Sequence, residues 1–225
     1  MQNTASPGKH LTIITSHINA DFDAIGSMLA AQKLYPGAMV VFPGFHEKSM
    51  RNFFVSTMAY LFHMADYDAI DPALIKRLIL VDTKQPARIG ELRELLDRKD
   101  VEVHVFDHHP ALPEDVKSDF LIQGATGANV TLLVERIQER QIPITSDEAT
   151  VMCLGIYEDT GGFTYPSTTA RDFNAAAFLR ERGASLTTIS DLLSKEMDPQ
   201  QIALLNDLIN AEVHHWINGH DIVIS

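Results

Sequence analysis

Short apolar runs alternate with segments of helical spacing along most of the chain. The runs are rich in β-branched residues and are bounded by Pro, Gly or acidic residues, which is typical of buried strands. They are Leu11–Thr15, Ala38–Phe42, Leu78–Val81, Val101–Phe106 and Phe120–Ile122. The alternation predicts an α/β fold, with a parallel sheet of about five strands and helices on both faces.

Apolar spacing and capping residues predict where the helices lie. In the first half, helices are expected from Ala24 to Leu34, from Glu47 to Phe62 and from Pro86 to Leu96. In the second half they are expected at Ala128–Arg140, from Thr145 or Ser146 to the Asp159–Gly162 turn, and from Thr168 or Thr169 to Arg182.

The C-terminal part predicts a different organisation. Leu192 to Trp216 has the spacing of helices that lead away from the core, and Asp221–Ser225 is strand-like without an evident partner. We therefore predict a core domain over residues 1–190, a helical linker over 191–220, and at 221–225 the first strand of a truncated second domain.

Composition restricts the class of partner. The 225 residues carry a formal net charge of -12, which opposes binding to long duplex nucleic acid because phosphate contacts need clustered Lys and Arg. No apolar run is long enough to span a bilayer, so no membrane partner is expected. The polar N-terminus lacks a secretory signal and the one cysteine, Cys153, lies among apolar neighbours, which together favour the cytoplasm.

Acidic and imidazole side chains follow three of the predicted strands. His17, Asp21 and Asp23 follow the first strand, Asp82 follows the third, and Asp107-His108-His109 follow the fourth. Ligands of open parallel sheets bind beyond the carboxyl ends of the strands, so these residues should converge at one edge. Each alone has another explanation: Asp23 as the N-cap of the next helix, Asp82 and Asp107 as caps of turns. Together they favour a site for divalent cations, which prefer carboxylate oxygen and accept imidazole.

Two further segments carry weaker signals. Asp159 precedes Thr160-Gly161-Gly162, a sharp turn that could aim its carboxylate at the same edge, or could simply end a helix with a solvated acid. Gly124–Asn129 could offer backbone N–H groups to phosphate, although a turn with an N-cap is favoured there. Lys48 and Arg51 are further candidates for phosphate contacts, and a solvated helix face is favoured for both.

The quoted motifs resemble those of the DHH phosphoesterases. The resemblance rests on His17-x-Asn19-x-Asp21-x-Asp23, on Val81-Asp82, on Asp107-His108-His109-Pro110 and on Asp159-Thr160-Gly161, in this order. It implies two divalent metal ions, usually Mn²⁺ with Mg²⁺ or Co²⁺ as substitutes. His17, Asp21 and Asp82 would hold one ion, and Asp23, Asp82, His108 and Asp159 the other. Asp82 would bridge the ions, His109 would face the substrate phosphate, and Asp107 would orient a ligand.

The chain departs from the family pattern in two respects. Ala20 stands where Pro is common, which removes no ligand. We expect the second domain, which by the resemblance contacts the substrate, to be absent or to begin only at Asp221. The chain looks most like RecJ-like and oligoribonuclease-like members, including versions fused to CBS and polynucleotide-polymerase modules. Both a homodimer and additional C-terminal domains are compatible with this interpretation.

The resemblance implies an enzyme that hydrolyses phosphodiester or phosphomonoester bonds of short nucleotides or oligonucleotides. Asp82, Asp107 and His109 are the candidate catalytic residues. Two alternatives stay open: a pyrophosphatase or exopolyphosphatase of the family II type, and a catalytically silent module that binds metal and nucleotide.

Overall fold

A computed structural model describes residues 10–42, 58–193 and 199–224. The chain divides into two compact units, Met1–Ile189 and Ser190–Ser225, which are described separately below. No helix among the described residues is long and apolar enough to cross a bilayer.

The first unit contains a five-stranded sheet in which every strand pair is parallel. Its strands are β1 (Leu11–Thr15), β2 (Met39–Val40), β3 (Ile75–Val81), β4 (Glu102–Asp107) and β5 (Phe120–Gln123), in the order β2-β1-β3-β4-β5. This confirms the predicted α/β fold. The strand order reverses between β1 and β3, so the crevice at their carboxyl ends is the expected ligand position in such a sheet.

The two faces of the sheet are covered by different kinds of helix. On one face, Ile13, Leu80 and Val105 join a buried cluster with Leu92 and Leu95 from the 3₁₀ segment Gly90–Asp97. The predicted α-helix from Pro86 is therefore wrong in type: 3₁₀ segments span Pro86–Arg88 and Gly90–Asp97, and Gly90 lies between them in the left-handed region (φ +59°).

Helices α1 (Phe22–Leu34) and α2 (Asn129–Glu139) pack against the other face of the sheet. Three more helices complete the first unit or extend just past it: α3 (Ser146–Asp159), α4 (Ala170–Glu181) and α5 (Leu186–Leu193). Of the predicted Glu47–Phe62 helix, residues 43–57 lie outside the described residues, as do Lys48 and Arg51, and Ala59–Leu61 forms a single 3₁₀ turn.

Glycine allows α1 and α3 to approach closely. A Cβ atom at Gly155 of α3 would lie 2.8 Å from the carbonyl oxygen of Phe22 and 3.0 Å from the Cα atom of Asp23. A side chain at this position would therefore push the helices apart. The close crossing places the C-terminus of α3, with Asp159, beside the N-terminus of α1, with Asp21 and Asp23.

The second unit corrects the prediction for the C-terminus. It contains α6 (Pro199–Asn210) and an antiparallel hairpin of β6 (Val213–Ile217) and β7 (His220–Ile224). Residues 213–217 are thus strand and not helix, and the predicted terminal strand pairs with them. Asn218 and Gly219 form the turn with φ +51° and +82°, because this residue pair tolerates the left-handed conformation of a two-residue hairpin loop. The predicted domain bounds at 190 and 221 stay predictions.

Candidate metal centre

The loop after β1 places His17 and Asp21 at the carboxyl edge of the sheet. The Ser16 hydroxyl donates to the Val81 carbonyl (2.8 Å), which joins the ends of β1 and β3, and His17 is buried. Asp21 is the N-cap of α1, where its Oδ1 accepts from the Ala24 N–H at 2.9 Å. The other oxygen, Oδ2, lies 3.9 Å from His17 Nε2. The N-cap of α1 is therefore Asp21, and not Asp23 as one alternative in the sequence analysis proposed.

Asp82 lies at the middle of the cluster, directly after β3. Its φ of +57° is in the left-handed region, which Asp tolerates better than most non-glycine residues. Its Oδ2 is 3.2 Å from His17 Nε2, and its Oδ1 is 3.5 Å from His108 Nε2. Oδ1 is buried without a hydrogen-bond partner. One carboxylate thus faces imidazoles from two different strand ends and keeps a lone pair directed into the cluster.

Asp23 is fixed by the backbone of another helix. Its two oxygens accept from the N–H groups of Asn129 (2.6 Å) and Val130 (2.9 Å), the first residues of α2. The preceding amides, of Gly127 and Ala128, donate to Asp172 at 2.8 and 3.3 Å. The sequence analysis named backbone N–H groups of Gly124–Asn129 as candidates for contact with a substrate phosphate. The structure shows that those of Gly127, Ala128 and Asn129 donate to two buried carboxylates of the chain itself.

His108 joins the Asp82 side of the cluster to Asp159. Its Nδ1 lies 3.0 Å from the Thr126 carbonyl, which accepts a hydrogen bond from the Nδ1–H and so leaves Nε2 to face the carboxylates. His108 Nε2 is 3.5 Å from Asp159 Oδ2. Asp159 is therefore brought to the same edge as the other predicted residues.

His109, Asp107 and Lys84 form a connected group beside this cluster. Asp107 Oδ1 is 2.7 Å from His109 Nδ1, and Asp107 Oδ2 accepts from Lys84 Nζ at 2.5 Å. Lys84 also donates to the His109 carbonyl (2.7 Å) and is buried. The sequence analysis did not identify Lys84, because its contacts with Asp107 and Asp115 arise from tertiary packing and have no local signal.

Within residues 10–42, 58–193 and 199–224, three sets of side chains have ligand atoms within 4.8 Å of one another. They are His17, Asp21 and Asp82; Asp23, His108 and Asp159; and Asp82, His108 and His109. The first two sets match the two predicted ligand groups, apart from Asp82 in the second. Two adjacent cation positions that share Asp82 would suit a two-metal site, in which the ions lie roughly 3.5–4 Å apart. The structure thus brings all six predicted ligands together, and their role as ligands stays a prediction.

The pKa values of the clustered carboxylates indicate that the cluster is stable in its ionised form only when positive charge is close to it. Burial, with the charges of Asp82 and Asp159, raises the pKa of Asp23 well above its usual value. Burial raises the pKa of Asp159 to about 6, against the lowering effect of His108. Burial would also raise the pKa of Asp82, but the adjacent imidazoles of His108 and His17 lower it to about 2. Without cations, protons must neutralise part of the cluster, so the donor set fits divalent metal ions.

Comparisons with known proteins indicate a family and several relatives. The model of the DHH family, N-terminal domain, matches residues 11–156. The chain is 45% identical over 215 residues to the A-adding tRNA nucleotidyltransferase of Geobacter sulfurreducens, a match that covers 96% of this chain and 24% of that protein. It is 28% identical over 214 residues to a probable bifunctional oligoribonuclease and PAP phosphatase of Streptococcus mutans, covering 92% of this chain and 63% of that protein. The chain therefore spans about a quarter of the first relative and less than two thirds of the second.

A solved structure shows the same fold. The exopolyphosphatase-related protein from Bacteroides fragilis superposes with a TM-score of 0.71 at 20% sequence identity. The superposition covers 92% of this chain and 62% of that chain. At this identity the likeness concerns the arrangement of helices and strands alone.

Proposed function

The chain belongs to the DHH family, whose N-terminal domain spans most of its first unit, and on that premise we propose that it is a two-metal phosphoesterase of short nucleotides or oligonucleotides. The observation that carries the proposal is the position of Asp82. Its carboxylate is buried between His17 on one side and His108 on the other, within a cluster of further carboxylates. This arrangement suits a bridging ligand and has no evident purpose in packing.

The residues divide into two ligand groups. His17, Asp21 and Asp82 would hold one divalent cation, and Asp23, Asp82, His108 and Asp159 the other. The mixed oxygen and imidazole donors suit Mn²⁺, with Mg²⁺ or Co²⁺ as substitutes. Two such cations, when bound, would neutralise phosphoryl oxygens and supply a water of lowered pKa.

The chain's own contribution to the chemistry centres on His109. Its side chain is 46% exposed, unlike the fully buried Asp107 that accepts from its Nδ1. Asp107 therefore fixes the tautomer that carries the proton on Nδ1 and leaves Nε2 for a solvent-side partner. In this position His109 would hydrogen-bond a phosphate oxygen of the substrate or protonate the leaving oxygen.

Small substrates are favoured over long duplexes. The net charge of -12 leaves little positive surface for a phosphate backbone, whereas cations at the centre would attract a single phosphate group. The Streptococcus relative is named as an oligoribonuclease and PAP phosphatase, which supports short oligonucleotides and nucleotides as the substrate class. The Geobacter relative is named for adding A to tRNA, so an RNA 3′ end is a further substrate to test.

The test is a hydrolysis assay with Mn²⁺, Mg²⁺ or Co²⁺, each compared with the same protein in EDTA. The substrates are a dinucleotide, a cyclic dinucleotide, a nucleoside 3′,5′-bisphosphate, a short RNA ending in A, and pyrophosphate. Metal-dependent release of nucleotide or of phosphate from a nucleotide is expected. Hydrolysis of pyrophosphate alone would replace the proposal by a pyrophosphatase, and binding of nucleotide without any turnover would replace it by a silent module.

A further inference from the structure

Asp172 is a fully buried carboxylate that accepts five hydrogen bonds. At the start of α4, its Oδ2 accepts from the N–H and the hydroxyl of Thr169, at 2.8 and 2.7 Å. It also accepts from the N–H groups of Gly127 (2.8 Å) and Ala128 (3.3 Å) and from the hydroxyl of Thr131 (2.7 Å). Burial alone would raise the pKa of this carboxyl, but hydrogen bonds from Thr131, Gly127 and Thr169 lower it. The side chain is therefore held in its ionised form.

Helix capping explains only part of this arrangement. Thr169 and Asp172 form the capping box of α4. A capping box satisfies N–H groups at the start of its own helix and needs no partner from another element. Asp172 accepts in addition from Gly127 and Ala128, which lie 45 and 44 residues earlier in the chain. These contacts join the start of α4 to the turn before α2, which a cap of α4 does not require.

The turn that Asp172 binds supports two of the candidate metal ligands. At one end of the turn, the Thr126 carbonyl accepts from the Nδ1–H of His108 at 3.0 Å. At the other end, the Asn129 N–H donates to Asp23 at 2.6 Å. The two residues between these ends are the ones whose N–H groups donate to Asp172. Both ligands are thus oriented by the backbone of a turn whose middle is fixed by one buried carboxylate.

The same turn packs against the residue that follows a third candidate ligand. A Cβ atom at Gly127 would lie 2.7 Å from Cγ2 of Thr160 and 3.1 Å from Oδ2 of Asp172. Thr160 is fully buried and directly follows Asp159. Glycine therefore allows the turn to lie close to both residues. The three ligands supported in this way form one set, which we call the Asp159 position: Asp23, His108 and Asp159.

The other ligand set has different supports. We call it the Asp21 position, and it consists of His17, Asp21 and Asp82. Asp21 accepts from an N–H of its own helix, and the Ser16 hydroxyl ties the end of β1 to the end of β3. None of the hydrogen bonds between Asp172 and the described residues involves this set. A change at Asp172 should therefore affect one metal position and spare the other.

We propose that Asp172 is a positioning residue for the metal ion at the Asp159 position. It does not touch the ion but fixes the turn that orients the ligands. The inference rests on the proposed two-metal function and identifies a residue that determines how tightly one of the two ions is held. Asp172→Asn would keep the size of the side chain and remove its charge. Whichever way the new amide is turned, its NH₂ group would face a backbone N–H, of Gly127 or of Ala128, and weaken the anchor of the turn.

The test is calorimetric titration of Mn²⁺ into metal-free wild-type protein, Asp172→Asn and a matched control, Glu148→Gln. Glu148 is also a buried acid of a capping box, that of α3 with Thr145, and lies at the opposite end of α3 from Asp159. Asp172→Asn should weaken one of the two Mn²⁺ affinities by about 10- to 100-fold and leave the other unchanged, because the loss of a residue that orients a ligand has an effect of this size. Glu148→Gln should leave both affinities unchanged.

Ligand variants show which of the two positions is affected. Asp21→Asn removes a candidate ligand of the Asp21 position, and Asp159→Asn removes one of the Asp159 position. Added to Asp21→Asn, Asp172→Asn should leave both positions weakened. Added to Asp159→Asn, it should leave the remaining tight affinity unchanged. The reverse pattern would overturn the inference.

Urea unfolding in EDTA distinguishes positioning from a purely structural role. Asp172→Asn that loses stability but binds both ions as tightly as the wild type, or binds both equally more weakly, would overturn the inference. If Asp172→Asn does not fold, Thr131→Val replaces it, because this change removes one donor to Asp172 and nearly keeps the shape of the side chain. It should weaken the Asp159 position by about 5-fold, the factor for one lost hydrogen bond, and unchanged affinity would overturn the inference.

Failure of the proposed function gives a different result. Wild-type protein that binds fewer than two Mn²⁺ ions would refute the two-metal function and this inference together. Wild-type protein that binds two ions, with no selective loss in Asp172→Asn, would refute the role of Asp172 alone.

Discussion

Two lysine–aspartate ion pairs have the same Nζ–Oδ2 distance but differ in burial, so they allow a quantitative test of how burial affects the cost of breaking an ion pair. The Lys84–Asp107 and Lys76–Asp100 pairs both measure 2.5 Å. The side chains of the first pair are 5% and 0% exposed, and those of the second are 33% and 54% exposed. If burial determines the cost of breaking an ion pair, Lys84→Met should destabilise the protein far more than Lys76→Met.

The magnitude for Lys84→Met follows from what remains around Asp107. Removing one member of a buried pair costs about 3–5 kcal/mol, because the other charge is left in a poorly solvated position. Asp107 would keep its hydrogen bond to His109, so we expect the lower end, about 3 kcal/mol. A domain of this kind has about 5–15 kcal/mol of total stability, so the loss would be large but compatible with folding. At the exposed pair, water replaces the lost partner, and little change is expected.

The assay is urea unfolding followed by circular dichroism, with EDTA present so that metal binding does not contribute. Asp107→Asn and the double variant Lys84→Met/Asp107→Asn complete a thermodynamic cycle. The double variant should be less destabilised than the sum of the two single variants, because no unpaired charge remains buried. Additive losses, or a loss for Lys84→Met no larger than for Lys76→Met, would refute the reasoning.

Three further predictions concern the metal centre. Asp82→Asn should lower Mn²⁺ affinity at both positions by at least about 100-fold, because even the loss of a residue that only orients a ligand lowers metal affinity about 10- to 100-fold. Calorimetric titration that still finds two tight sites would contradict the bridging role. Gly155→Ala should lower the free energy of unfolding by about 1–3 kcal/mol through overpacking, against about 1 kcal/mol gained in helix propensity. It should also weaken Mn²⁺ binding, because it would move Asp159. Unchanged Mn²⁺ affinity by calorimetric titration would contradict this expectation. In EDTA, stability should fall as pH rises from about 5 to 9, because the folded-state pKa values of Asp159 and His108 exceed their unfolded values. Burial raises the pKa of Asp159 to about 6. Burial lowers the pKa of His108, but the adjacent Asp82 carboxylate and the Thr126 carbonyl together raise it to about 9. Each contribution is complete below the unfolded pKa and is lost through the folded pKa, so urea midpoints that increase over this range would show the sign to be wrong.

The sheet and the edge that carries the site could be predicted because strands of this kind have local signals. Each strand is a short apolar run, and the carboxyl ends of parallel strands meet at one edge whatever their separation in sequence. Helix type was less predictable: apolar spacing around Leu92 and Leu95 is compatible with both α and 3₁₀ geometry, and the left-handed Gly90 decides between them. The hairpin at Asn218-Gly219 had a recognisable turn signal, but the helical spacing read across residues 192–216 concealed it.

Within the site, the sequence indicated which residues converge but not how each one is held. Asp23 was expected either to cap α1 or to bind metal, whereas it accepts from the N-terminus of α2, more than a hundred residues away. Lys84 could not be distinguished from a solvated lysine, because its burial depends on Asp107, the last residue of β4, and on Asp115 in the segment after it. Such contacts arise from tertiary packing and have no local pattern.

The positions of Asp21 and Asp23 explain how the chain tolerates a cluster of like charges. Asp21 caps the N-terminus of α1, and Asp23 accepts from the first N–H groups of α2. A helix N-terminus carries a partial positive charge that stabilises a nearby carboxylate. Two of the four clustered carboxylates are therefore oriented by backbone dipoles that do not depend on a cation. The fold can thus hold these side chains close together without a cation, and binding of the proposed metal ions would remove the remaining repulsion and displace protons from residues such as Asp159.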